Sequence, residues 1–388
     1  MTFLLATSLA AQQNDTLPNK DAIFHRPFIL EGERGNLTAA VGGYLEANTN
    51  YFATDGVSEG FSMEMRRFNI FLYSTLMERI KFISELEFEH GAEEIALETA
   101  LLDFEVMPEL VFRAGIVLVP LGYFNQNHDS PKWDFIDRPL VSTTLIPATY
   151  SDVGFGLHGT VSLGGASLTY ETCLLNGLQD GILANEQGRT FLPGGKNEER
   201  FGEDNNGSPS VAGRIALKKR KLGEVGISSF AGYFNTFKVD GLTIDEKRKV
   251  VVLALDYNFS IQKLKVLGEA ALVRVDVPEA LGQAFGKKQW GIHADLIYPV
   301  WKGNLLKWKD LQLNAAFRFE WVDYNVGEFD ETGKNIGDDV AAIVPGISLR
   351  FSPSTLLRVN YRYRWDTDLA GNPPARTAGF QFGFASYF

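Results

Sequence analysis

Cysteine is nearly absent from this chain of 388 residues. Cys173 stands alone, so no internal disulfide framework can form. Long apolar runs are missing too. None approaches the ~20 residues that a membrane-spanning helix needs, and mean hydropathy is near zero at −0.08. That excludes a helical membrane protein. It leaves room for spanning strands, which need only ~9–11 residues with alternate ones apolar. Positive charge is outnumbered, with 37 Lys and Arg against 48 Asp and Glu, a net charge of −11. This argues against a nucleic-acid partner. The chain has no G-x-S-x-G elbow, no H-E-x-x-H and no cysteine pair. Its five histidines, His25, His90, His128, His158 and His293, are scattered along the sequence. His128 and Asp129 are sequence neighbours, which is poor geometry for a catalytic dyad. The expectation is a protein that is not an enzyme, with no cofactor and no metal centre. Internal repeats and low-complexity tracts are also missing.

Aromatics and glycine are plentiful, with 29 Phe, 13 Tyr and 38 Gly. The last residues, 377–388, read TAGFQFGFASYF. On a strand, Phe380, Phe382, Phe384, Ser386 and Phe388 share one face, and Gly379, Gln381, Gly383, Ala385 and Tyr387 share the other. Bare aromatics on one side suit a strand between lipid and a wet lumen. The same alternation recurs upstream. Ile80, Phe82, Leu86 and Phe88 interleave with Lys81, Glu85, Glu87 and Glu89. Leu313, Ala315, Phe317, Phe319 and Trp321 interleave with Gln312, Asn314, Arg318 and Glu320. Leu357, Val359, Tyr361, Tyr363 and Trp365 interleave with Arg358, Asn360, Arg362 and Arg364.

Breaks between the runs alternate in length. Short ones fall near Met77, Met107, Gly164, Arg220, Gln262 and Pro353, with a longer one over residues 299–309. Long polar stretches cover residues 49–60, 120–152, 177–210, 238–248, 276–288, 323–339 and 366–376. Such alternation marks periplasmic turns and extracellular loops. The fold class expected is all-β: a transmembrane antiparallel β-barrel of about 16 strands, with a long inward-folded third loop. An even count puts both ends in the periplasm. A secreted β-sandwich competes, but it predicts neither the loop alternation nor the aromatic rows. Residues 1–11 read as a cleaved signal peptide, although no Lys or Arg precedes the apolar stretch. Residues 12–36 read as a periplasmic segment and 37–388 as the barrel. The expected location is the outer membrane of a Gram-negative bacterium.

The third loop is the richest stretch. It runs from Val119-Pro120-Leu121-Gly122 through Asn125, His128, Asp129 and Pro131 to Arg138-Pro139, then Ile146-Pro147-Ala148-Thr149 and Gly154-Phe155-Gly156. At roughly thirty residues it far exceeds a normal connection. Its P-x-G-x-x-N-x-x-H-[DE]-x-P pattern, with the R-P, I-P-x-T and G-x-G-x-x-G that follow, resembles the phosphate-selective porins O and P. The likeness continues through residues 173–178 and 211–214. It implies an outer-membrane barrel of about sixteen strands, often trimeric and passing anions. The net acidity departs from the anion-selective members, and no dense lysine ring can be matched. The terminal Phe388 likewise resembles the insertion signal read by the barrel-insertion machinery.

The residues themselves suggest pore-lining positions. Arg318, Arg350, Arg358, Arg362 and Arg364 fall on the inward faces of three neighbouring strands, and Arg113 precedes the third loop. Guanidinium groups in such a row can pass an oxyanion along; they can equally be neutralised by facing acids. The opposite wall is acidic, with Glu85, Glu87, Glu89, Glu98, Asp103 and Glu105. His128, Asp129, Lys132, Asp137 and Arg138 sit on the constriction loop, either touching solute or pinning the loop to the wall. Acid pairs in the fourth and seventh loops read as solvated surface, or as bridges to lipopolysaccharide through divalent ions. The function expected is passive diffusion of small hydrophilic solutes, with small anions such as phosphate preferred. Alternatives are a weakly selective general porin and a structural barrel that docks partner proteins at the cell surface. Outer-membrane lipid, lipopolysaccharide and a homotrimer or envelope partner complete the expected contacts.

Overall fold

A computed structural model of the protein describes residues 30–34 and 37–388. The expected signal peptide, 1–11, and most of the 12–36 segment lie outside the described residues. Sixteen strands close into an antiparallel barrel. They are β2 (Leu37–Thr54), β3 (Phe61–Leu76), β4 (Ile80–Glu89), β5 (Glu94–Met107), β6 (Leu110–Leu118), β7 (Ser151–Ser162), β8 (Ala166–Leu175), β9 (Ser210–Lys219), β10 (Gly223–Tyr233), β13 (Lys249–Ile261), β14 (Leu264–Val275), β15 (Lys288–Leu305), β16 (Trp308–Asp323), β17 (Asp339–Ser352), β18 (Thr355–Asp366) and β19 (Ala375–Tyr387). The last strand returns to the first, from Thr377 against Thr54 to Tyr387 against Tyr44. A short strand, β1 (Leu30–Arg34), folds back on the start of β2, with Leu30 opposite Val41. The fifth loop carries a small hairpin of β11 (Lys238–Val239) and β12 (Leu242–Thr243).

The two faces of the sheet are chemically inverted relative to a soluble protein. Along β19, Phe380 is 59% exposed, while its neighbour Gln381 is 3% exposed. Phe317, Phe319 and Trp321 are likewise exposed on β16, and Arg318 and Glu320 are buried. Exposed Leu, Ile, Val and Phe recur on strand after strand and form a belt for hydrocarbon. Aromatic pairs mark both edges of that belt. Trp290 packs on Trp321 at 4.9 Å near the long-loop end, and Trp308 on Phe351 at 4.9 Å near the short-turn end.

Three connections differ from the sequence reading. The break over residues 299–309 is strand: β15 runs through Pro299, and only residues 306–307 turn. Register shifts at Pro299/Trp301 and Gly303/Leu305 absorb the proline, which has no N–H for the ladder. The 49–60 stretch shrinks to residues 55–60, because Thr49 to Tyr51 pair with β3 despite their polarity. A further upper connection, residues 90–93, is a tight turn, too short to read as one of the long loops.

Two β-bulges set which charges enter the lumen. On β3, Met63 and Met65 face outward, and after Arg66 the outward phase moves to Phe68 and Leu72. Both Arg66 and Arg67 therefore turn inward. On β5 the outward phase moves from Ile95 and Leu97 to Leu102 and Phe104, and the extra residue is Glu98. A bulge re-aims a side chain in this way without breaking the ladder for long.

The chain end is clasped on the outer face. Phe388 exchanges backbone hydrogen bonds with Gly43, at 3.0 and 3.2 Å. Its ring lies flat on Phe68, with centroids 5.5 Å apart. A Cβ on residue 43 would meet that ring at 2.6 Å. Replacing Gly43 with Val should therefore displace the ring, and Phe388→Ala should remove ~0.5–1.5 kcal/mol of ring contact. Both variants should unfold at lower temperature in detergent, followed by gel mobility of folded and heated barrel. Unchanged midpoints for both would contradict the clasp.

Candidate functional site: a loop anchored across the lumen

The third loop, residues 119–150, begins where β6 ends. Asn125 closes its neck. The Asn125 carboxamide donates to Val119 O at 2.8 Å and Tyr150 O at 2.9 Å, and accepts from Tyr150 N at 2.7 Å. Gly122 sits at φ +73°, where a Cβ would lie 2.8 Å from Glu269 Oε1. Those two contacts account for the glycine and asparagine of the sequence pattern. Beyond the neck, Phe124, Trp133 and Phe135 pack on Leu267, Ile297, Ala316 and Val344 of the inner wall. A one-turn helix, α1 (Leu140–Thr144), buries Val141 in a second apolar group with Leu145, Ile146 and Val322. The fourth loop joins this second group through Leu178, Ile182 and Leu192.

Polar contacts then fix the loop to strands on both sides. Phe124 N and Ser142 Oγ donate to the two oxygens of Glu269 on β14. Gln126 reaches Glu171 on β8 at 2.7 Å, and His128 reaches Glu98 on β5 at 3.0 Å. Tyr387 on β19 donates to Asp129 at 2.6 Å. Asp134 takes Arg350 and Asn314, and Ser348 donates to it as well. Asp137 lies between Arg66 on β3 and Arg362 on β18, each at 3.0 Å, with Gln381 at 3.2 Å. Arg358 binds Glu46 on β2 at 2.9 Å and donates to the carbonyls of Ser130, Trp133 and Phe135. A loop tethered from β2 to β19 and from β5 to β14 narrows the bore rather than lining one side of it.

Every arginine expected on the pore wall lies inward and faces an acid. Arg113 binds Asp103 and Glu171, both at 2.8 Å, and His158 joins Asp103 at 3.1 Å. Arg318 holds Asp295 through two bonds of 2.7 and 2.8 Å; its expected neighbour Glu320 instead accepts Leu140 N. Arg350 faces Asp134, Arg362 faces Asp137 and Arg364 faces Asp366. The acidic wall is also paired. Glu87 and Glu89 take Arg67, Glu105 takes Lys81, and Glu85 accepts from Asn69. On the loop itself, Lys132 binds Asp129 at 3.1 Å, and Arg138 lies 3.9 Å from Glu87. Sequence reasoning missed Arg66, Arg67, Glu46, Asp134 and Glu269. For Arg66 the signal was present, as a change of phase in the apolar alternation.

The two aspartate tethers are ionised at neutral pH. Burial works to raise the Asp134 carboxyl, but Arg350, Ser348 and Lys265 outweigh it and hold it at about 2. Burial opposes ionisation of Asp137 too, and Arg66 and Arg362 hold its carboxyl well below the ordinary range. Burial alone would discharge His128, yet Glu98, with Glu85 and Asp129, keeps its pKa above the usual value.

Two outcomes follow. A depressed Asp134 stabilises the anchor fully above the ~3.9 of a free aspartate. That contribution fades as pH falls toward 2. Limited proteolysis of residues 119–150 should therefore stay slow from pH 7 to 4, then accelerate; in Asp134→Asn that acid step should shrink, leaving the part that Glu46 and Asp137 carry. Equal rates at every pH in the wild type would contradict the anchor. Separately, Arg358→Ala leaves Glu46 buried without its partner, an effect of ~3–5 kcal/mol. Its thermal midpoint should fall and its third loop should be cut sooner. An unchanged midpoint and cleavage pattern would contradict the role given to Arg358.

Comparison with known proteins places this architecture. OmpF of Salmonella typhi, in complex with daunomycin, aligns at a TM-score of 0.57 and 12% identity, over 92% of this chain and 100% of that one. An anion-selective porin from Comamonas acidovorans aligns at 0.56 and 12%, over 91% and 100%. Outer-membrane expressed OmpT of Vibrio cholerae aligns at 0.55 and 12%, over 92% and 100%. At these identities the likeness is one of fold. An uncharacterized protein of Aquifex aeolicus (strain VF5) is 30% identical over 200 residues, 49% of this chain and 43% of that protein. The chain thus matches less than half the length of that relative. No protein-family model matches the chain. Its closed sixteen strands and apolar outer belt give the chain the fold of the outer-membrane porins.

Proposed function

We propose that the chain is a diffusion porin for small hydrophilic solutes, with a mild preference for anions. It needs no energy source. Flux follows the gradient, the third loop sets the size limit, and lumen charge sets the preference.

One observation carries the sign. Two guanidinium groups, Arg66 and Arg362, share the single carboxylate of Asp137. Side-chain exposure is 21% for Arg66 and 14% for Arg362, so both reach the aqueous lumen. Arg113, Arg318 and Arg358 are 5% exposed or less. Those three are structural pins, and their charge is spent on neighbouring acids. On the same measure the arginine row expected from the sequence contracts to Arg350, Arg362 and Arg364, joined by Arg66. Arginine stays charged at every physiological pH and can give an oxyanion two parallel bonds. Water-poor walls strengthen that local field.

A preference for phosphate rests on the sequence resemblance to the phosphate-selective porins O and P. It is supported by the Gly122 and Asn125 contacts, which give two residues of that pattern a structural reason. A weakly selective general porin is the second reading, favoured by the pairing of nearly every lumen charge. A homotrimer fits the trimeric form known for Vibrio cholerae OmpT. A surface-docking barrel is less well supported, because the long fourth loop buries Leu178, Ile182 and Leu192 instead of presenting them.

Reversal potentials in planar bilayers under a potassium chloride gradient test the sign. Wild type should favour chloride modestly. Replacing Arg66 and Arg362 with Ala should move the reversal potential toward cations, and Asp137→Asn should move it further toward anions. Identical potentials in all three would sink the assignment of selectivity to this triad. The absence of any conductance in folded protein would sink the porin reading itself.

A further inference from the structure

We infer that the third loop is latched to the barrel wall by a divalent transition metal held by His128, Glu98 and Glu85. One ligand atom from each of these three buried residues lies within 4.8 Å of the others. Two come from adjacent strands, β4 and β5, and the third from the loop. The sequence reading placed no metal here, since the three are far apart in the chain.

The histidine is oriented as a ligand. His128 Nδ1 lies 2.9 Å from Asn125 O. A carbonyl oxygen only accepts, so Nδ1 carries a proton and donates it. Nε2 then points into the carboxylates, 3.0 Å from Glu98 Oε2. Either a second proton or a cation must lie between those two atoms. An Nδ1–H bonded to a backbone carbonyl is the outer-shell arrangement that fixes metal-binding imidazoles. It links the latch directly to Asn125, the residue that closes the loop neck.

A second observation points to a ligand. Asn69 and Thr99 are wholly buried beside the carboxylates. Asn69 donates to Glu85 at 2.7 Å, and Thr99 is the cross-strand partner of Glu85. Yet among the described residues Asn69 Oδ1 and Thr99 Oγ1 have no hydrogen-bond partner. Buried oxygens are costly to leave unsatisfied, and a cation or the water it carries would satisfy them. Glu87, the third carboxylate nearby, hydrogen-bonds Glu98 and lies 3.3 Å from Arg67, with Arg138 at 3.9 Å.

The donor set identifies the ion class. One imidazole nitrogen with carboxylate oxygens suits zinc or manganese, whereas calcium takes oxygen ligands only. Ligands held at ~2.0–2.2 Å around one tetrahedral ion lie ~3.3–3.6 Å from one another, within the 4.8 Å that already spans these three atoms. Binding would replace the proton between His128 and Glu98 and tie the loop to the wall.

The test uses full-length protein folded in detergent, stripped with EDTA and titrated with zinc chloride or manganese chloride. Metal content after gel filtration and the thermal midpoint are both read. The expected result is one ion per chain and a rise of several degrees in the wild type. Binding should weaken at least tenfold in His128→Gln and Glu98→Gln, and stay unchanged in His90→Ala, which removes an exposed His–Glu pair on the same barrel. Should a variant fail to fold, the wild-type midpoint with and without EDTA still decides. No retained metal and no shift would leave a proton as the only bridge and overturn the latch. Equal binding in the His128 and His90 variants would overturn the site.

Discussion

Hydrocarbon on the outside is the constraint from which the rest of this molecule follows. A backbone group facing lipid has no water to bond, so every strand must be paired on both edges. The pairing of β19 with β2 meets that demand, and the backbone exchange between Phe388 and Gly43 extends it to the final residue. Once the outer face is given to Phe, Leu, Ile and Trp, strict alternation forces the polar residues inward. The interior becomes a crowded shell of carboxylates and guanidinium groups. Few of them can stay unpaired away from bulk water, and the pairing of nearly every one is the consequence.

That pairing also builds the third loop. A loop of this length has many backbone groups to satisfy, and the wall supplies the partners. Arg358 takes three carbonyls, Glu269 takes Phe124 N, Asn360 takes Ile136 N and Glu320 takes Leu140 N. Charges that look like a permeation path in sequence therefore divide into two groups. Arg113, Arg318 and Arg358 hold structure. Arg66, Arg350, Arg362 and Arg364 are more exposed, and on Arg66 and Arg362 the proposed selectivity rests.

Much of the fold was legible in the chain because lipid and water read successive residues differently. The period-two pattern of β16, β18 and β19 fixed which residues face out, and the short turns near Met77, Gly164 and Gln262 fell where expected. Pro299 misled, because a proline usually ends a strand and here sits at a bulge. The loop partners were not legible. Glu46 lies more than three hundred positions from Arg358, and nothing local in either residue announces the other. Arg66 lies between these cases: it is marked by a phase change in the neighbouring apolar residues, which simple alternation treats as noise.

The inverted barrel itself is tested most directly by spin labels placed one at a time at residues 378–386, in protein reconstituted into bilayers. Collision with oxygen, which concentrates in lipid, should peak at positions 380, 382 and 384, and collision with a water-soluble nickel chelate should be low there. A flat profile, or oxygen maxima at positions 379, 381 and 383, would contradict the account.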